Sequence, residues 1–89
     1  KVAICTDHPE NPVQYLALGA GVAMKGGLDE KTALEAITSA PAEICGISGR
    51  VGTLEVGKDA DVVVMEGEFY NILSRVRLVL VNGEIDHVC

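Results

Sequence analysis

The stretch Gly52-Thr53-Leu54-Glu55-Val56-Gly57-Lys58-Asp59-Ala60-Asp61-Val62-Val63-Val64 decides how this chain is read. Gly57-Lys58 is a tight turn, and Asp59-Ala60-Asp61 leads into a β-prone run that continues to Met65. The stretch lacks the Gly-x-x-x-x-Gly-Lys-Ser/Thr spacing of a phosphate loop, so its charges read as a structural turn with solvated side chains. Downstream, Val76 to Val81 is a second strand, with Arg75 and Arg77 at its start. Phe69 to Leu73 joins the two as a turn or a single helical turn. Asn82-Gly83, set between Val81 and Ile85, is a hairpin signal, because a type I′ turn needs positive φ at both central residues. Glycines at 46, 49, 52, 57, 67 and 83 punctuate this half. It reads as a small, mainly antiparallel β unit.

Upstream of Gly46 the pattern is different. Lys1 to Thr6 reads as a short strand, and the continuous apolar run Val2-Ala3-Ile4-Cys5 suits a parallel strand covered on both faces. Asp7 to Pro12 is a loop, broken by two prolines and Asn11. Val13, Leu16, Ala17, Ala20 and Met24 then recur on one helix stripe that starts near Pro12 and ends at Gly26-Gly27. Gly19 and Gly21 each cost this helix roughly 1 kcal/mol against Ala, which predicts close packing against another element. Asp29 caps a second helix, Glu30 to about Ser39, with Ala33, Leu34, Ile37 and Ala40 as its apolar face. A short third helix, Pro41 to Cys45, stops at Gly46.

Composition sets outer limits. The chain has 89 residues, 48% of them hydrophobic, with 7 Lys+Arg against 13 Asp+Glu and a net charge of −6. That excess of acid argues against a nucleic-acid partner, since phosphate binding needs clustered Lys and Arg. No apolar run approaches the ~18 residues of a membrane span. No basic segment with an apolar stretch and cleavage site stands at the start, so no signal peptide is expected. Cys5, Cys45 and Cys89 form no C-x-x-C pair and are expected to be small buried thiols of a cytoplasmic protein. Opening on Lys1 inside a buried-type strand, the chain looks like a piece of a larger protein.

Chemistry concentrates in Thr6-Asp7-His8-Pro9. An acid and an imidazole follow a strand end, where α/β barrels carry their active sites. A carboxylate there can bind a metal or act as a general base, although an Asp at a strand end is more often a loop or cap residue. Neighbouring strand residues face opposite ways, so Asp7 and His8 are not expected to grip one ion together.

Four pieces, in order, resemble the C-terminal part of the amidohydrolase superfamily of metal-dependent hydrolases, in particular its imidazolonepropionase-like members. They are Thr6-Asp7-His8-Pro9, the Ala33-Leu34-Glu35-Ala36-Ile37-Thr38 helix with Pro41-Ala42, the Gly52 to Asp61 signature, and the closing Val79-Leu80-Val81-Asn82-Gly83 hairpin. The resemblance implies an α+β fragment. Residues 1–50 would be the last strand and helices of a (β/α)8 TIM barrel, and residues 51–89 the C-terminal strands of a small β-sandwich. It places on Asp7 the family's metal ligand and catalytic base, and leaves His8 as a candidate substrate contact. It implies a divalent metal, usually Zn, and a small-molecule substrate whose non-peptide C–N bond, of cyclic amide or amidine type, is hydrolysed.

The sequence departs from the family in two ways. Ala40 stands where relatives often carry a polar cap. The His-x-His pair and the remaining metal ligands of the family are absent from these 89 residues, and His87 lies too far along the β unit to replace them. The isolated chain is therefore expected to be inactive and to hold zinc weakly. It is also expected to associate as a homo-oligomer through residues 1–25. The alternative reading is a non-catalytic scaffold or interaction domain from a metal-free amidohydrolase relative. A weaker one is an autonomous α+β binding domain that shares only short motifs.

Overall fold

A computed structural model describes residues 2–8, 10, 15–71 and 73–88. Lys1, Pro9, Pro12, Val13 and Cys89, which carry expectations from the sequence, lie outside the described residues, as does the side chain of His87. The order of elements is three helices followed by three strands: α1 (Leu16–Lys25), α2 (Glu30–Glu35), α3 (Ser39–Ile44), β1 (Val62–Glu66), β2 (Arg75–Val81) and β3 (Glu84–Val88). Among the described residues no helix is long and apolar enough to cross a membrane.

The predicted stripe of α1 is its inward face: Leu16, Ala17 and Met24 are half-buried and Ala20 is buried. Asp29 caps α2, its carboxylate accepting from the Thr32 N–H at 3.1 Å and from the Thr32 hydroxyl at 2.7 Å. The sequence reading carries this helix on to Ser39, but α2 stops at Glu35 and a new helix starts at Ser39. The break is local chemistry. The Thr38 hydroxyl bonds back to the Leu34 carbonyl at 2.7 Å, and the Thr38 backbone leaves helical space at φ −130°, ψ −86°. Thr favours such side-chain bonds to the preceding turn over continuing a helix. The apolar spacing survives the break, because Ala33, Ala36, Ala40 and Ala42 are all buried. Leu34, expected on the inward face, is exposed.

The sheet is a β1-β2-β3 antiparallel meander. β1 and β2 run in register from Val62 opposite Leu80 to Glu66 opposite Arg75, with an irregularity at Val64/Met65. The β2-β3 hairpin closes on Asn82 and Gly83 with φ +51° and +81°, the positive pair that the Asn-Gly sequence predicts. Gly67, at φ +102°, turns the chain out of β1 against Ser74.

Residues 2–6 differ from expectation. They form no strand ladder among the described residues, and the sheet contains none of them. Instead the Ile4 N–H donates to the Ala36 carbonyl at 2.9 Å, where α2 ends. A strand exists only through a paired neighbour, and none lies beside Val2 to Thr6 among the described residues. Cys5 and Cys45 are free thiols as expected, but exposed rather than buried.

The buried core is five alanines: Ala20, Ala33, Ala36, Ala40 and Ala42. Among the described residues no larger side chain is fully buried, while Val2, Val22, Leu54, Val63, Ile85 and Val88 are among many exposed apolar residues. The accessible surface is 6467 Å², roughly 1,500 Å² above the ~5,000 Å² expected of a compact 9.3 kDa monomer.

Candidate functional site

Asp7 sits on a turn directly after residues 2–6. Its φ is +56°, in the left-handed region that Asp tolerates better than most residues because its short polar side chain can bond locally. The Asp7 N–H donates to Cys5 Sγ at 3.3 Å, and the Asp7 carbonyl accepts from the Glu10 N–H at 2.8 Å. Asp7 and His8 are both exposed. Uncommon backbone held by specific bonds around a solvent-facing carboxylate is a recurrent feature of functional turns.

Among the described residues no group of three or more His, Cys, Asp or Glu is arranged to hold a metal ion. Zinc takes three or more protein ligands. Asp7, a hard oxygen donor facing solvent, suits one corner of such a site. Among the described residues no other such donors are gathered around it.

The Gly52 to Asp61 signature is a hydrogen-bonded knot, and its charges are less free than a solvated turn implies. Arg50 Nη2 bonds Asp59 Oδ2 at 2.8 Å, and the Asp59 N–H returns to the Arg50 carbonyl at 2.8 Å. Lys58 Nζ donates to the Thr53 hydroxyl at 2.7 Å, which donates to Glu55 Oε1 at 2.9 Å. The Lys58 side chain keeps only 16% of its exposure.

Asp61 Oδ1 accepts from the Asn82 N–H at 2.8 Å, and the Ala60 carbonyl accepts from the Gly83 N–H at 2.9 Å. The signature therefore clamps both central amides of the hairpin turn. Gly52 is required where the knot meets α3. Its φ is +104°, and a Cβ there would lie 2.7 Å from Ala42 Cβ. A shallow cavity of about 220 Å³ lies beside this seam, lined by Ser39, Glu43, Ser48, Val51, Thr53 and Lys58.

Two titrating groups report on these turns. The hydrogen bond from the Thr32 side chain to Asp29 stabilises its ionised form and holds its carboxyl below the usual value. The hydrogen bond between Tyr70 and Glu68 favours the neutral phenol, pushing Tyr70 up to about 12.

Sequence reasoning located Asp7 and the signature but missed three contacts. These are the anchoring of Ile4 on Ala36, the burial of Lys58, and the Asp61 bond to a turn 21 residues away. Gly19 inside α1, which faces Ile4, was the available signal for the first of them.

With this geometry in hand, comparison with known proteins places the chain. The sequence pattern of the Amidohydrolase family matches residues 1–89. The chain belongs to that family. Its structure is similar to the crystal structure of an amidohydrolase from Thermotoga maritima MSB8, with a TM-score of 0.94 and 36% identity over 98% of this chain and 23% of that one. It is 46% identical over 78 residues to an imidazolonepropionase from Syntrophobacter fumaroxidans, covering 82% of this chain and 18% of the relative. It is 37% identical over 59 residues to an N-acetylglucosamine-6-phosphate deacetylase from Bos taurus, covering 66% of this chain and 13% of the relative. The chain thus spans less than a quarter of each of these proteins.

Proposed function

We propose that these residues form the C-terminal part of a metal-dependent hydrolase acting on a non-peptide C–N bond of cyclic amide or amidine type, with Asp7 as its general base. The observation that carries this reading is the Asp7 turn: an exposed carboxylate, held on a left-handed backbone, at the end of a segment seated on the helices of an amidohydrolase. The names of the relatives, an imidazolonepropionase and a deacetylase, support a C–N bond as the target.

In this reading residues 1–50 are the last strand and helices of a (β/α)8 barrel, and residues 51–89 belong to a β-sandwich. The missing ladder of residues 2–6 fits a strand whose neighbours belong to the remainder of the protein. A divalent metal, zinc by preference, would be held in part by the Asp7 carboxylate and would supply positive charge that lowers the pKa of a bound water toward ~7. An Asp7 carboxylate oxygen takes the water's proton as the oxygen attacks the substrate carbon. It then gives that proton to the leaving nitrogen as the C–N bond breaks, so the carboxylate is regenerated. His8, exposed on the same turn, contacts the substrate. A cytoplasmic setting accords with free thiols at Cys5 and Cys45.

The test is Asp7→Asn in the full-length hydrolase. Asn keeps the shape and the turn but cannot accept a proton at neutral pH. Turnover should fall at least ~10²-fold with the melting temperature unchanged. Retention of more than about a tenth of the rate would show that Asp7 is not the base.

The 89 residues in isolation are proposed to be inert, to bind zinc no more tightly than micromolar, and to self-associate through residues 1–25. Val2, Tyr15, Leu18 and Val22 are exposed there, and apolar surface of this kind recruits a partner. Light scattering should show a dimer or larger. A clean monomer at high micromolar concentration would contradict this.

A further inference from the structure

α1 contains two glycines among ten residues, Gly19 and Gly21, and each breaks the local preference for a good helix former. Gly21 is explained by the turn after β1: a Cβ on it would lie 3.2 Å from both Cβ and the carbonyl oxygen of Tyr70. Gly19 faces a different neighbour. A Cβ built there would touch Ile4 Cγ2 at 3.6 Å, so an alanine fits, and a longer side chain extending in that direction would meet Ile4.

Ile4 is held from a second side as well. Its N–H donates to the carbonyl of Ala36, a residue only 1% exposed, at 2.9 Å. One residue further on, Cys5 Sγ accepts the Asp7 N–H. The path from the alanine core to the Asp7 turn is therefore short and continuous, running from α1 and the end of α2 to Ile4, and from Ile4 to Asp7.

Resting on the reading of Asp7 as general base, we infer that Ile4 is its positioning residue. Ile4 seats its Cγ2 methyl on Gly19 and its N–H on Ala36, which sets the height of the turn that presents the carboxylate. A base must lie within hydrogen-bond reach of the proton it takes, and a misplacement of ~1 Å can cost ~10²-fold in rate.

The test is a size series in the full-length hydrolase, with kcat and KM measured separately and folding followed by thermal unfolding. Ile4→Val retains a Cγ2 methyl and should keep kcat within about twofold. Ile4→Ala removes the methyl and should lower kcat about tenfold or more, with KM changed less than threefold. Gly19→Ala should leave kcat near normal and raise the melting temperature. Gly19→Leu should lower kcat as Ile4→Ala does, although Leu is a better helix former than Gly. Combining Gly19→Leu with Ile4→Ala should recover part of the loss by restoring the volume.

Ile4→Ala and Gly19→Leu proteins that are folded and keep kcat within twofold would overturn the inference. So would losses that follow the melting temperature alone. Asp7→Asn, run in parallel, separates the two claims. If it abolishes turnover while the size series is silent, the base role stands and the positioning role falls. If it retains turnover, both fall.

Discussion

The helical region, residues 16–45, and the sheet region, residues 62–88, are held together by opposite means. Every buried residue of the described structure lies in the helical region, and all five are alanines. Order there comes from small buried side chains, whose size lets helices pack closely. The sheet region has no buried residue among those described, and Val63, Val81, Ile85 and Val88 face solvent. Its order comes from the antiparallel ladder and from the signature's grip on the Asn82-Gly83 turn. A three-stranded sheet without a covered face is marginal by itself. The contrast is between a region with a small buried alanine core and a sheet with none, while both carry exposed apolar side chains that other surfaces would cover.

The seam between the regions is where this comparison breaks most sharply. Gly52→Val places a Cβ against Ala42 and forces a β-branched residue to φ +104°. Overpacking and backbone strain together should cost about 3 kcal/mol or more, read by chemical denaturation, and both regions should lose protection from hydrogen exchange together. Loss of protection in the sheet alone would mean that the seam does not couple them.

Next in size is a paired test of the two modes of packing. Ala33→Leu, at a fully buried position, should destabilise by about 1–3 kcal/mol. Ile85→Thr, on the exposed face of β3, should change the stability of the isolated chain by no more than about 0.5 kcal/mol. Equal costs would show that the sheet face is covered in solution.

Smaller than the cost at Ala33 are the effects expected at the hairpin turn. Gly83→Val strains a left-handed position and should cost about 1–2 kcal/mol. Asp61→Ala removes one acceptor from an exposed turn and should cost about 1 kcal/mol. In both variants amide exchange at Asn82 should accelerate before that of α1, whereas uniform acceleration would place the clamp inside the common core.

Local rules carried the reading a long way. The Asn82-Gly83 hairpin, the Asp29 cap and the apolar stripe of α1 follow from residue chemistry within a few positions, and the structure contains all three. The same rules over-extended α2, because apolar spacing continues through Thr38 while the backbone does not. They also made residues 2–6 a strand, because Val-Ala-Ile-Cys has strand composition whether or not a neighbour is present.

The sequence by itself therefore determined what depends on near neighbours: the turn types, the caps, the helix face and the type of residue offered at the Asp7 turn. Only the tertiary structure decided what depends on distant ones. It seats Ile4 on Gly19 and Ala36, draws Asp61 to the Asn82 amide, and folds Lys58 into the knot beside α3. The physical reason is range. A φ preference or a capping bond acts over one to four residues, and its energy is written in the residues themselves. A buried contact between positions 4 and 36 exists only once two helices have packed, and no pattern along the chain records the distance at which they meet.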